Sequence, residues 1–153
     1  MMLMLEKVLS RRQVLQIYYG LFHSVAVYGI VGWGGLYDSS LKPLIRLQTR
    51  ILKIIGVNES DPDRPLEIRQ VFVMKSITRH YSELRNEFNN CPTNTRHRSV
   101  ELPRQKLKIG QRSSSYYAKV YYNKLPNNLK SMVGVGDSLK KNLREAIKTR
   151  IVT

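Results

Sequence analysis

From Gln13 to Tyr37 the chain runs for 25 residues without an Asp, Glu, Lys or Arg. A stretch of that length and character has two physical destinations, a protein core or a bilayer, since about 20 apolar residues suffice to span one. In the second case Arg11 and Arg12 form a cytoplasmic flank, and Trp33 and Tyr37 sit near an interface. Gln13, Gln16, His23 and Ser24 weigh against insertion, because polar side chains are costly in hydrocarbon. Five glycines between Gly20 and Gly35 loosen any helix there. The stretch is therefore expected to be an aromatic-rich core helix, with a single-pass anchor over 13–37 as the competing reading. Glu6 and Lys7 interrupt the apolar start, so no secretory signal is read, and the expected location is intracellular, in cytoplasm or nucleus.

Periodicity places the remaining elements, nearly all of them helical. Ser10 followed by Gln13 has the capping-box pattern. Behind it Val14, Tyr18, Leu21, Val25 and Tyr28 recur at spacings of four and three, which predicts one buried helix face. Glycines from Gly29 to Gly35 end that helix. Ser39 or Ser40 is expected to cap a second helix reaching Ile55, with Pro43 in its first turn and Gly56 as its stop. The residues from Asn58 to Asp63 are turn formers. Pro65 opens another helical stretch and Ser76 to Phe88 a further helix. Asn89 to Ser99 reads as loop, and Val100, Leu102, Leu107 and Ile109 around Pro103 as extended chain. A short aromatic helix is expected from Ser113 to Asn123, and a last basic helix from Asp137 or Ser138 to about Arg150.

Charge says more about partners than about fold. The chain has 26 Lys and Arg against 11 Asp and Glu, a net charge of +15. Polyanions are the expected targets of such a field, nucleic acid ahead of anionic membrane. The excess is uneven: residues 1–56 carry 7 basic and 2 acidic side chains, 57–88 carry 5 and 6, and 89–153 carry 14 and 3. On the second helix Leu44, Leu47, Ile51, Ile54 and Ile55 fall on one side, and Lys42, Arg46, Arg50 and Lys53 form a stripe on the other. A solvated helix face would ordinarily interleave Glu with Lys at i,i+4, and this stripe has no acidic partner. A phosphate backbone would supply the missing charge. Arg96, Arg98, Arg104, Lys106, Lys108 and Arg112 form a second basic run. Tyr116, Tyr117, Tyr121 and Tyr122 follow it, a mixture suited to phosphate contacts plus stacking, with about half of the tyrosines expected in the core.

Catalytic chemistry is thin. The sequence has no glycine-rich phosphate loop, no Cys/His metal spacing and no Ser–His–Asp set. His23, His80 and His97 are isolated. Asp61 and Asp63 stand among Asn58, Ser60, Pro62 and Pro65, and read as a turn and cap rather than a metal site. The single Cys91 excludes an internal disulfide and suits a reducing compartment.

Tyr18-Tyr19-Gly20-Leu21-Phe22-His23-Ser24 with Tyr28-Gly29-Ile30-Val31-Gly32-Trp33-Gly34 resembles the YYALIHSHLSYGIIIWG pattern of non-LTR (LINE-type, jockey-like) retrotransposon reverse transcriptases. Leu44 to Gly56 resembles the family's following LQKRAIRIIxG helix. Pro65-Leu66, Asn94-Thr95-Arg96, Ser114-Ser115-Tyr116 and Tyr122-Asn123-Lys124-Leu125-Pro126 resemble, in order, its PLF, NTR and closing S..Y…YNKLP motifs. In that family these motifs lie downstream of the polymerase palm. The resemblance implies a mainly α fold: a helical thumb-like lobe over 1–88, an extended basic loop over 89–112 and a basic helical tail over 113–153. It implies binding of RNA and DNA largely through the backbone, and the basic stripe and basic run point to Lys42, Arg46, Arg50, Lys53, Arg96, Arg98, Arg104 and Lys106 as the residues that make it. The missing palm and fingers of the parent polymerase are a further expected partner. The family's metal-binding aspartates have no counterpart here, since no Asp-Asp pair occurs. Two-metal nucleotidyl transfer needs such carboxylates. No catalytic or metal-ligating residue is therefore assigned. The Mg2+ of the parent polymerase is not expected on this chain, and a degenerate remnant without activity is the other non-enzymatic reading.

Overall fold

The computed structural model describes residues 8–58, 61–91, 99–132 and 136–148. All regular structure among them is helical. The chain starts with α1 (Arg11–Ile17), which continues through a π-helical segment (Tyr18–His23) into α2 (Ser24–Val27). The capping box forms as its sequence predicts: the Ser10 backbone N–H donates to Gln13 Oε1 at 2.9 Å. Within the π segment the Ser24 hydroxyl donates to the Gly20 carbonyl at 2.5 Å, at a residue with no side chain to pack.

The π turn changes which residues face inward. A π helix adds one residue to the turn, so the buried row does not run Val14, Tyr18, Leu21, Val25, Tyr28. It runs Val14, Tyr18, half-buried Phe22, then Ala26, Val27 and Ile30, while Leu21, Val25 and Tyr28 are 58%, 72% and 85% exposed. The helix ends at Gly29, whose φ of 61° lies in the left-handed region that favours glycine. Trp33 Nε1 donates to the freed Tyr28 carbonyl at 2.8 Å and fixes the corner into α3 (Ile30–Trp33). No helix among the described residues is long and apolar enough to cross a membrane.

Next comes α4 (Asp38–Ile54). It begins before Ser39 and Ser40, with Asp38 in the first turn at the positive end of the dipole. Pro43 therefore falls in the second turn rather than the first. Its buried side is also rotated from the predicted one. Leu41, Gln48, Leu52 and Ile55 are buried, and Leu47 is 47% exposed. A glutamine takes an inward position because its amide is fully used there, as described below.

The longest element is α5 (Ile68–Asn90), one helix where the sequence suggests two, and it takes in Asn89 and Asn90, read as loop. Ser76 looks like a break but is buried in mid-helix as a small residue. Glu67 caps the helix, its backbone N–H donating to Gln70 Oε1 at 3.0 Å. Ile68, Val71, Phe72, Val73, Ile77, Tyr81, Leu84 and Phe88 make α5 the spine of the core. Against it pack α6 (Ser114–Lys124), the aromatic helix expected over 113–123, which Ser113 caps, the short α7 (Asn127–Lys130), and α8 (Asp137–Ala146), which starts from Gly136. Edge-on ring pairs Phe72–Tyr117 at 5.2 Å and Tyr81–Tyr122 at 5.9 Å join α5 to α6. Leu139, Leu143 and Ile147 enter the same cluster, so the segment from 113 to 148 shares its core with the helices that precede it.

Between α5 and α6 the described chain from Ser99 to Ile109 forms neither helix nor strand. It is tethered at both ends. Asn123 grips Val100 like a sheet partner, accepting from its N–H at 2.8 Å and donating to its carbonyl at 2.9 Å. At the other end Arg112, closing a 3-10 turn (Gly110–Arg112), stacks on Tyr37, and its carbonyl lies directly over Gly35. A Cβ at position 35 would collide with that backbone oxygen. Gly35→Ala should therefore cost roughly 1–3 kcal/mol as an overpacked site, read as a lowered thermal midpoint. An unchanged midpoint would mean that the 110–112 turn is free to move away.

Candidate nucleic-acid interface

Lys42, Arg46, Arg50 and Lys53 are all exposed on α4, as the stripe predicts. At 1.5 Å per residue they extend over about 16 Å of helix. None has an ion-pair or hydrogen-bond partner among the described residues, whereas acidic side chains elsewhere are engaged. Arg11 pairs with Asp61, Arg69 with Asp38, and Lys119 with Glu87 at 2.8 Å. Asp38, the one acid on α4, is thus paired with Arg69, which leaves this face positive. Leu52, Ile55, Val14, Tyr18 and Val57 form a second apolar cluster that holds α4 from behind. The cations therefore project from a fixed scaffold.

The other basic run is dispersed. Arg104 and Lys106 are exposed on the irregular loop, on no common face set by a helix. Arg96 and Arg98 lie outside the described residues. Cys91 Sγ donates to the Ser99 carbonyl at 3.1 Å, holding together the two ends that flank them. Of the four clustered tyrosines Tyr122 is buried, and Tyr116, Tyr117 and Tyr121 are half-buried. Burial pushes the Tyr122 phenol well above its ordinary value and raises Tyr121 as well.

A second basic concavity has no signature in the sequence. A groove of about 740 Å³ is lined by Arg11, Arg12, Tyr19, Asp63 and Arg144, bringing the start of α1 against α8. Arg11 is tied to Asp61, so Arg12 and Arg144 are its available cations. Lys148 Nζ donates to the Pro62 carbonyl at 2.9 Å and pins α8 to this rim. Burial, with Lys75 and Arg144 adding to it, holds the His23 imidazole below its ordinary value. Asp61 Oδ1 accepts from the Asp63 N–H at 3.0 Å, the turn expected of this segment. Arg12 and Arg144 come together through tertiary packing, and no local pattern announces it. Among the described residues no three His, Cys, Asp or Glu side chains converge to hold a metal.

No protein-family model, curated protein or solved structure matches the chain.

Proposed function

We propose that this chain is a nucleic-acid-binding helical module that grips the phosphate backbone with little regard to sequence. In this reading it serves a reverse transcriptase of the non-LTR type as thumb and tail, holding template–primer or element RNA. Nucleotidyl transfer and its Mg2+ belong to a palm that this chain does not supply. The single observation that carries the reading is the stripe Lys42, Arg46, Arg50 and Lys53, exposed, free of described acidic partners and mounted on a rigid helix. Like charges left side by side repel unless an anion lies across them, and a polyphosphate strand is such an anion.

Counterion release makes the test quantitative. If all four stripe cations contact duplex phosphates, the affinity should fall with log salt at a slope of about −3.6. That corresponds to roughly a hundredfold loss between 50 and 200 mM salt. Fluorescence anisotropy on duplexes of unrelated sequence measures both the slope and the lack of sequence preference. An affinity indifferent to salt would refute the phosphate contact.

A further inference from the structure

A cavity of about 430 Å³ opens between the 110–112 turn and α6, lined by Lys108, Gln111, Arg112, Tyr116, Tyr117 and Tyr121. Its groups are not equivalent. Tyr117 is committed to the core, edge-on to Phe72 and stacked with Tyr121 at 6.0 Å. The Tyr116 ring has no aromatic partner among the described residues and is half-buried. Lys108 is exposed and has no acidic partner among the described residues. The Arg112 guanidinium lies over the Tyr37 ring at 3.1 Å, and its Nη1 is buried without a hydrogen-bond partner. An arginine held by stacking, with one donor unspent, is suited to an oxyanion.

We propose that this cavity takes one unpaired nucleotide at the end of a nucleic-acid strand, its base stacked on Tyr116 and its phosphate held by Lys108 and Arg112. The size suits it, at the lower end of the range of about 300–1,000 Å³ for ligand pockets. So does the chemistry, since aromatic faces accept any base and adjacent cations accept the backbone. The cavity also lies at the right place. Arg112 stacks on Tyr37, the residue that caps α4, so the pocket adjoins the end of the helix from which the basic stripe begins. A duplex seated along α4 meets the cavity where its pairing ends. The inference rests on the nucleic-acid reading above and assigns to that interface a second contact, specific for an unpaired terminus.

The test uses the full chain with three probes: a blunt duplex, the same duplex with a one-nucleotide DNA or RNA overhang, and free AMP. Overhang duplexes should bind about tenfold more tightly than blunt ones, the range expected of one stacked base. Tyr116→Leu should abolish that preference and leave blunt-duplex affinity unchanged, whereas Tyr116→Phe should retain it. Lys108→Ala should reduce the preference when the overhang carries a terminal phosphate. Circular dichroism checks that each variant is folded. Equal binding of blunt and overhang duplexes, with salt-dependent duplex binding intact, overturns the pocket and leaves the stripe standing. Loss of the preference in folded Tyr116→Phe overturns the stacking role. Binding of AMP without any overhang preference overturns the strand-end assignment. Absence of all binding overturns both proposals. A preference shared by DNA and RNA overhangs supports recognition of the base and phosphate they have in common.

Discussion

Replacing Gln48 with leucine should lower the stability of the protein by about 3–5 kcal/mol, the largest effect expected of any single exposed-to-apolar or polar-to-apolar change in α4. Gln48 is 2% exposed. Its Nε2 donates to the Tyr18 hydroxyl at 3.0 Å and to the Leu66 carbonyl at 2.9 Å, and its Oε1 accepts from the Ile68 N–H at 3.1 Å. One amide thus joins α4 to the π segment and satisfies one of the first free N–H groups of α5. Leucine fills the space but strands the Leu66 carbonyl and the Ile68 N–H, each costing roughly 1–3 kcal/mol when buried unpaired, and leaves the Tyr18 hydroxyl only its 3.4 Å contact with His23 Nδ1. Burial already pushes the Tyr18 phenol up to about 12, with the Gln48 bond acting in the opposite direction. The thermal midpoint should drop by roughly 10 °C. Thr49→Ala, one residue along and exposed, should move it little. A Gln48→Leu protein as stable as its parent would show that water or a rearranged neighbour replaces the amide.

Reversing Arg46 and Arg50 to glutamate should weaken duplex binding by more than tenfold, or at least about 1.4 kcal/mol. It should also reduce the salt slope by about 2, one for each phosphate contact removed. The same reversal at Arg104 and Lys106 should do less. Those two sit on the irregular loop, and fixing loop backbone costs roughly 1–2 kcal/mol per residue, which offsets what each cation gains. Both double variants should keep their helix content, because all four side chains are exposed. Anisotropy on a common duplex ranks them. If the loop variant is the weaker binder while remaining folded, the contact is centred on the loop and not on α4.

The helical class, the capping box at Ser10, the break at Gly29, the aromatic helix over 113–123 and the basic stripe are all legible in the sequence. Each is a local signal, carried by residues within one or two turns of one another. What is not legible depends on partners distant in the chain. Leu47 is a better core residue than Gln48 by composition, yet Gln48 faces inward because Tyr18, Leu66 and Ile68 supply hydrogen bonds from elsewhere. Ser76 reads as an interruption of α5 because its polarity is visible and its burial is not. Arg12 and Arg144 meet across a groove formed by the docking of α8. The π turn escaped for a different reason. Both registers of the stretch after Tyr18 are apolar, so a period of 3.6 fits the wrong row as well as the right one.

That ambiguity gives the π turn a weight beyond its six residues. The helix holds two apolar rows that diverge at Tyr18, one through Phe22, Ala26 and Ile30 and one through Leu21, Val25 and Tyr28. A uniform α helix and one with a single widened turn would each bury a plausible hydrophobic seam. The widened turn therefore works as a frame selector: it leaves the amino-acid content untouched and decides which of two near-equivalent surfaces becomes interior. The row not chosen, Leu21, Val25 and Tyr28, remains outside as an apolar ridge running to the Gly29 corner.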